Sequence, residues 1–235
     1  MKKIQLKQVL RNKRFVLFTI ILPIGWYIFF YHLQKGVSPS ILLGIAVFIG
    51  VIGNSLATFS KRIASDIGFY SFESHFTSYS VKNYLWDQSI VQLILNSLIF
   101  LAVIVVAVLG FHFPVTTSLL LQFFLLSLMG IYFSVIGFVL GVRVDAKTID
   151  TIGFPIIILA AMTIIPFDTL GASGGFMDLV GKLQQAFPGY YYTKLIQDLT
   201  EKQTIDATQL ALFVAVFGLN LLFFYLLVPK GKMGN

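Results

Sequence analysis

Residues 89–110 read SIVQLILNSLIFLAVIVVAVLG, an apolar run without a single Asp, Glu, Lys or Arg. Because a helix rises about 1.5 Å per residue, about 20 such residues cover the roughly 30 Å hydrocarbon core of a bilayer. The run does not alternate between apolar and polar residues, so it does not have the pattern of a membrane-barrel strand. It therefore predicts a transmembrane α-helix.

Five further runs along the chain share this apolar character. Of the 235 residues, 57% are hydrophobic and 11% are charged, and an ordinary soluble domain carries about 25% charged residues. We therefore predict an all-α polytopic membrane protein in which residues 1–235 form a single transmembrane domain. The six predicted transmembrane helices are Phe15–Tyr31, Ile41–Phe59, Ser89–Gly110, Ser118–Val142, Ile149–Ile165 and Ala207–Val228.

The positions of the basic residues predict the orientation of these helices. With the N-terminus inside, thirteen Lys and Arg residues flank the inner ends of the helices and four flank the outer ends, which together make the 17 in the chain. Cytoplasmic loops of membrane proteins retain positive charge. We therefore expect a multi-pass protein of the cytoplasmic membrane with both termini in the cytoplasm. Because topology accounts for most of the net charge of +7, we expect no nucleic-acid partner.

The sequence lacks the motifs of several enzyme classes. It has no phosphate-binding G-x-x-x-x-G-K-[ST] loop, no cysteine, and no pair of acidic residues in the middle of a predicted span. These absences argue against ATP hydrolysis by this chain alone, against a cysteine nucleophile and against an intramembrane protease or proton relay. We expect a chain that is not itself an enzyme, with no catalytic, cofactor-binding or metal-ligating residues.

Residues 1–14 combine basic and apolar side chains at helical spacing. This pattern is typical of a helix that lies in the membrane interface, with its basic face toward anionic lipid head groups. A simple topology signal is the alternative. The basic residues of the predicted interfacial helix are Lys3, Lys7, Arg11 and Arg14.

Residues 60–88 form the longest predicted cytoplasmic connection. They carry two adjoining apolar stripes at helical spacing, and exposed aromatic rings on such a short helix call for a covering surface. That surface is either a soluble protein partner or the membrane itself. Within this segment, Asp66 and Gly68 either cap or break the helix. The candidate contact residues are Ile63, Asp66, Ile67, Gly68, Phe69, Tyr70, Phe72 and Phe76.

Residues 166–206 form the last predicted outer loop. It contains two amphipathic pieces, Phe176–Phe187 and Tyr190–Leu199, with turn-forming Pro188–Gly189 between them. They either anchor the loop in the outer interface or form a lid over an exit path. The candidate outer-gate residues are Phe187, Pro188, Gly189, Tyr190 and Tyr191.

Polar and small residues inside the predicted spans suggest how the helices pack. Gly137 and Gly141 form a G-x-x-x-G pattern, which allows close approach between membrane helices. The mid-span amides serve either as hydrogen-bonding groups between helices or as the lining of a polar path. These amides are Asn54, Gln92, Asn96, Gln122 and Asn220.

Three segments, in their order along six predicted spans, carry a family resemblance. They are Leu10–Phe15 leading into a span that contains Leu22–Pro23, the segment Ile63–Gly68 after the second span, and Phe187–Tyr191 before the last span. On these patterns the chain resembles, over nearly its whole length, the permease subunit of type-2 ATP-binding-cassette (ABC) exporters. In one departure, Gly68 is followed by Phe69, where the family usually has Gly–Thr, so the residue that enters the ATPase groove is left open.

The resemblance implies a set of partners and roles. It implies an interfacial elbow helix, a cytoplasmic coupling helix that docks in a groove of a separate ABC ATPase subunit, and outer re-entrant helices. ATP and Mg would be bound by that ATPase. It also implies a second permease copy, as a homodimer or a related heterodimer, with the first and fifth spans near the interface.

The function expected from the resemblance is ATP-driven export. The apolar interior favours an amphipathic or hydrophobic cargo such as a peptide, an antibiotic or a lipid. The alternative is a membrane immunity or binding protein that holds a peptide or lipid without ATP.

Overall fold

A computed structural model describes residues 7, 11, 16–34, 36–73, 76, 81–167, 174–201 and 204–227. Within these ranges the chain forms helices joined by short turns and has no strand, which confirms the all-α prediction for this part of the chain. The α-helices are α1 (Leu22–Leu33), α2 (Pro39–Ile52), α3 (Ser60–Glu73), α4 (Val81–Phe111), α5 (Thr117–Arg143), α6 (Ala146–Met162), α7 (Gly175–Gln184), α8 (Pro188–Glu201) and α9 (Ala207–Leu226).

Two π-helical segments interrupt the regular α-helical geometry. Leu17–Ile21 leads directly into α1, and Gly53–Phe59 joins α2 to α3. The backbone stays in the right-handed helical region at both ends of the second segment, at Ile52 and at Ser60. Helix α2, the π-helical segment and α3 therefore form one uninterrupted helix, which we call the central rod.

Four helices in the described part of the chain are long and apolar enough to cross a membrane. They coincide with the second, third, fourth and sixth predicted spans and indicate a membrane protein. The first predicted span is matched by a shorter apolar helix, Thr19–Leu33, and the fifth by the 17-residue α6. Six spans therefore stay a prediction. The four spanning candidates are Pro39–Phe69, Trp86–Phe111, Ser118–Arg143 and Ala207–Leu226.

The central rod lies in the middle of the bundle. It packs against α1, α4, α5 and α6, and nearly every side chain of α2 is buried. Its large buried side chains include Leu42, Leu43, Phe48 and Ile52. Helix α9, by contrast, presents most of its apolar side chains at the surface of the chain, with only Phe213 buried. The core is therefore built around the second predicted span.

The glycines of the G-x-x-x-G pattern allow α5 to approach the central rod. A Cβ atom added to Gly137 would overlap the backbone oxygen of Ser55, and one added to Gly141 would lie 2.5 Å from that of Ser60. Side chains larger than a hydrogen atom do not fit at either position. The two backbones are thus in direct contact, as small residues permit between membrane helices.

Side-chain caps fix where several helices begin. The Ser38 hydroxyl accepts a hydrogen bond from the Ser40 backbone N–H (3.3 Å), and the Asp206 carboxylate accepts one from that of Thr208 (2.8 Å). At the start of α6, Asp145 accepts bonds from the backbone N–H groups of Lys147 and Thr148, each 3.0 Å long. Each cap satisfies donors that the first helical turn leaves without an intrahelical partner.

Replacing Gly137 with Ala should destabilise the bundle by about 1–3 kcal/mol, because the methyl group forces α5 away from the rod. SDS titration of the protein in bicelles, followed by circular dichroism, measures this change. Gly218→Ala on α9 is the matched control, since no atom lies within 4 Å of its added Cβ. Equal stability of the two variants would contradict the close approach of α5.

The Asp145 cap should make the start of α6 sensitive to acid. The Thr148 hydroxyl, 2.6 Å from the carboxylate, is the main reason that the pKa of Asp145 lies below its ordinary value. Because the pKa of Asp145 is lower in the folded than in the unfolded chain, the ionised carboxylate stabilises the fold at pH values above its unfolded pKa of about 3.9. This stabilisation is lost as the pH falls through the pKa of the folded protein. Thr148→Val should therefore raise the pKa of Asp145, which NMR titration of its side-chain carboxyl carbon measures.

Thr151→Val is the control for this prediction. The Thr151 hydroxyl donates to the backbone oxygen of Lys147 (3.2 Å). The account is contradicted if both variants leave the titration of Asp145 unchanged.

Candidate functional site

Exposed aromatic side chains lie at the end of the central rod, just beyond it and near the beginning of α4. Phe69, Phe72 and Phe76 have 63%, 67% and 73% of their surfaces exposed, and Trp86 of α4 has 68% exposed. The rings of Phe72 and Phe76 contact each other, with centroids 5.0 Å apart. We call Phe69, Phe72 and Phe76 the aromatic surface. Rings exposed this closely together call for a covering surface, which is either another protein or the membrane.

The opposite face of α3 is anchored to the bundle. Ile63 is fully buried in a cluster with Phe59, Tyr84 and Val142, and half-buried Ile67 packs against the same cluster. The two stripes expected from the sequence therefore diverge in the structure. The isoleucine stripe holds α3 in place, and the phenylalanine stripe points away from the bundle.

Polar contacts tie α3 to its two neighbours. The Lys61 ammonium donates to the Asp150 carboxylate of α6 at 2.5 and 2.7 Å, and the Tyr84 hydroxyl of α4 donates to Asp66 at 3.2 Å. The guanidinium of Arg62 lies over the ring of Phe59, 5.5 Å from its centroid. A displacement of the aromatic surface would therefore strain contacts to α4 and α6.

These contacts separate the predicted contact residues into two groups. Ile63 is buried and Asp66 is engaged with Tyr84, so neither offers its side chain to an outside partner. Gly68 is exposed, as are the three phenylalanines, and the Tyr70 side chain lies outside the described part of the chain. The helix continues through Asp66 and Gly68 without a cap or break. Trp86, absent from the predicted set, is a further exposed ring on α4.

The residues predicted as an outer gate lie where α8 begins. Pro188 is the first residue of the helix, as its fixed φ favours, so the turn between α7 and α8 falls at residues 185–187. Pro188 and Gly189 are buried, and a Cβ on Gly189 would lie 2.5 Å from Ile164. Phe187, Tyr190 and Tyr191 are half-buried around them.

The third tyrosine of this segment, Tyr192, points into the core. Its hydroxyl accepts a hydrogen bond from the Gln122 amide of α5 (3.3 Å), which also donates to the backbone oxygen of Ser40 (2.7 Å). A Cβ on Gly44 would lie 2.6 Å from the Tyr192 hydroxyl. This residue joins α8 to α2 and α5. The spacing of Tyr192, Leu195 and Ile196, all buried, is the sequence signal that would have identified it.

A cavity of about 240 Å³ lies between α7 and the start of α8. Its lining combines apolar Phe167 and Met177 with charged Asp178 and Lys182. It adjoins the predicted outer-gate residues through Tyr190. Its mixed lining is compatible with an amphipathic molecule.

Part of the predicted interfacial helix lies within the described residues. Lys7 and Arg11 are exposed, and the Arg11 backbone N–H donates to the Lys7 oxygen at 3.1 Å. Lys3 and Arg14 lie outside the described residues.

Within the ranges that the structure describes, no group of three His, Asp or Glu side chains is placed to hold a metal ion. Comparison of the chain with family models, curated proteins and solved structures finds no match.

Proposed function

We propose that this chain is the permease subunit of a type-2 ABC exporter in the cytoplasmic membrane. In this proposal a separate cytoplasmic ATPase binds ATP and Mg, and this chain provides the membrane path. The resemblance in the sequence is the source of the proposal. The single structural observation that supports it best is an aromatic surface carried on the same rigid helix as the buried second span.

The aromatic surface has the chemistry of a docking site for a protein. Covering apolar area stabilises a complex by about 25 cal/mol per Å², and aromatic residues are the side chains most often central to protein interfaces. Helix α3 presents Phe69 and Phe72 on a backbone already fixed by Ile63, so little conformational entropy is lost on binding. The proposed occupant is a groove of the ATPase.

The central rod supplies a mechanical link. Movement of the docked end of α3 is transmitted along one continuous helix to α2, because the Lys61–Asp150 ion pair and the Gly137 contact hold the rod to α6 and α5. Packed helices have discrete arrangements, so a small movement at one end can switch the packing at the other. We propose that ATP-driven closure of two ATPases moves the rods of two permease copies in this way.

The charge distribution supports the orientation that this mechanism needs. With six spans, the loop of residues 60–88 and both termini lie on the side that carries thirteen of the 17 Lys and Arg residues, and this is the cytoplasmic side. The proposed interfacial helix, with exposed Lys7 and Arg11, then lies against the anionic inner leaflet.

Apolar faces at the edge of the bundle support pairing with a second copy. On α6, the Phe154 side chain is 72% exposed and Leu159 is 64% exposed. We propose that the α6 faces of two copies approach each other, as a homodimer or with a related chain, and that lipid covers α9. The cargo passes between the two copies and is amphipathic or hydrophobic, such as a peptide, an antibiotic or a lipid.

Phe72→Asp should abolish the complex with the ATPase. A carboxylate in a desolvated apolar interface costs about 2 kcal/mol or more, so the recovery of the partner should fall at least tenfold. The measurement is affinity purification of the tagged full-length chain from its own cells, followed by an ATP-hydrolysis assay and mass spectrometry of the eluate. The control is Phe176→Asp on α7, where the original side chain is also 67% exposed.

Two results would contradict the proposal. One is an eluate of the unsubstituted chain that contains no ATP-hydrolysing subunit, which would favour an ATP-independent binding protein. The other is equal recovery of the ATPase with both variants, which would remove the aromatic surface from the interface.

A further inference from the structure

The cavity between α7 and the start of α8 has room for a bound molecule. Its volume of about 240 Å³ is many times the ~10–15 Å³ that a single buried water needs. Gly181 of α7 lines the cavity, and a Cβ atom added to Gly181 would meet no atom within 4 Å. The cavity is therefore open space beside α7 and not a gap between packed side chains.

Contacts to the bundle hold the walls of the cavity in place. Gln184 of α7 lines it and is 7% exposed. The amide nitrogen of Gln184 donates to the backbone oxygens of Met162 (2.6 Å) and Ile165 (2.8 Å), at and just beyond the end of α6. On the other side, Tyr190 follows the buried Gly189 at the start of α8. Because these walls are already ordered, little conformational entropy is lost when a ligand binds.

Charges of both signs line the cavity. Asp178 and Lys182 lie four residues apart on α7, so their side chains leave the same face of the helix, about 6 Å apart along its axis. Neither side chain makes a hydrogen bond or an ion pair within the described part of the chain. Both charges are therefore available to a ligand that carries one negative and one positive group.

The polar atoms of the lining favour one kind of positive group. Because the Gln184 amide uses both of its N–H groups on α6, its oxygen is the atom left for a ligand. This oxygen and the Asp178 carboxylate are acceptors, and a primary ammonium has three hydrogens to donate. A quaternary ammonium has none. The lining therefore favours an ethanolamine-type ammonium beside Asp178 and a phosphate beside Lys182, since lysine commonly binds phosphate.

The surface next to the cavity indicates that such a head group belongs to a lipid. Leu179 and Leu183 lie on the face of α7 that adjoins Lys182, and they are 54% and 60% exposed. Acyl chains cover such side chains when an amphipathic helix lies in the membrane interface. A phosphate held at Lys182 would bring its attached acyl chains against these leucines.

We propose that the cavity binds the head group of phosphatidylethanolamine from the leaflet that contacts α7. The phosphate lies at Lys182, and the ammonium lies at Asp178 and Gln184. The acyl chains lie along Leu179 and Leu183, so the lipid anchors α7 to the membrane. This inference goes beyond the proposed function, because the site needs a membrane but no ATPase.

Native mass spectrometry of the purified full-length chain tests this site. The protein is incubated in detergent with equal amounts of phosphatidylethanolamine, phosphatidylcholine and phosphatidylglycerol that carry the same acyl chains. We expect the ethanolamine lipid to be bound at least fivefold more than either of the others, because only its head group has an ammonium that can donate hydrogen bonds to Asp178. Equal binding of the three lipids would overturn the proposal.

Two substitutions test whether this preference arises in the cavity. Gly181→Leu fills the cavity, and Asp178→Asn removes the carboxylate from an exposed position where the fold does not depend on it. Each should reduce the preference at least threefold. Gly218→Leu on α9 is the matched control and should keep it, since a Cβ added there also meets no atom within 4 Å. A preference that both cavity variants retain would overturn the proposal, because the lipid would then bind elsewhere.

Free phosphoethanolamine distinguishes a lipid from a soluble molecule with the same charges. Added in tenfold molar excess over the lipid, it should displace less than half of the bound phosphatidylethanolamine, because it has no acyl chains to cover Leu179 and Leu183. Complete displacement would overturn the assignment to a lipid and would indicate a soluble zwitterion as the ligand.

Discussion

The close packing of α5 on the central rod is the constraint on which the rest of the structure depends. Gly137 and Gly141 bring the backbone of α5 against the backbone oxygens of Ser55 and Ser60. Where two helices meet in lipid, packing and interhelical hydrogen bonds replace the hydrophobic effect as the main source of stability. The rod is thereby fixed at the junction of its π-helical segment and α3, and the aromatic surface and the Lys61–Asp150 pair are both positioned from that junction.

The rod also separates two environments. Toward residue 39 it contacts apolar neighbours such as Ile99 and Phe133. Toward residue 73 it carries Lys61, which is paired with Asp150, and Asp66, which accepts a hydrogen bond from Tyr84, and it ends in exposed rings. Because charged groups are costly inside a bilayer, this gradient favours a position of the α3 end near or beyond the membrane surface. In the proposed orientation, the aromatic surface is available to a water-soluble partner while its helix stays anchored in the core.

The sequence was sufficient to predict four apolar helices and the helical spacing of Ile63 and Ile67, since both follow from local periodicity. It assigned these two residues to the contact with a partner, whereas they pack against the bundle. The continuity of α2 with α3 could not be predicted, because Lys61 and Arg62 have the pattern of a membrane boundary. Gly68 favours a break in the helix, but its free-energy cost there is small beside the gain from burying Ile63. The burial of Tyr192 was also missed, since a triple tyrosine fits an interfacial belt equally well. The π-helical segment has no local sequence signal; it depends on the tertiary contacts of Asn54 and Ser55.

The central claim is that the aromatic surface faces the cytoplasm. The chain has no cysteine, so Phe76→Cys and Phe176→Cys each introduce a unique thiol at an exposed position. The decisive measurement is labelling of the two variants with a membrane-impermeant maleimide, in intact cells and in opened ones. The account predicts that position 176 reacts in intact cells and that position 76 reacts only after the cells are opened. Labelling of position 76 in intact cells at the rate of position 176 would contradict it.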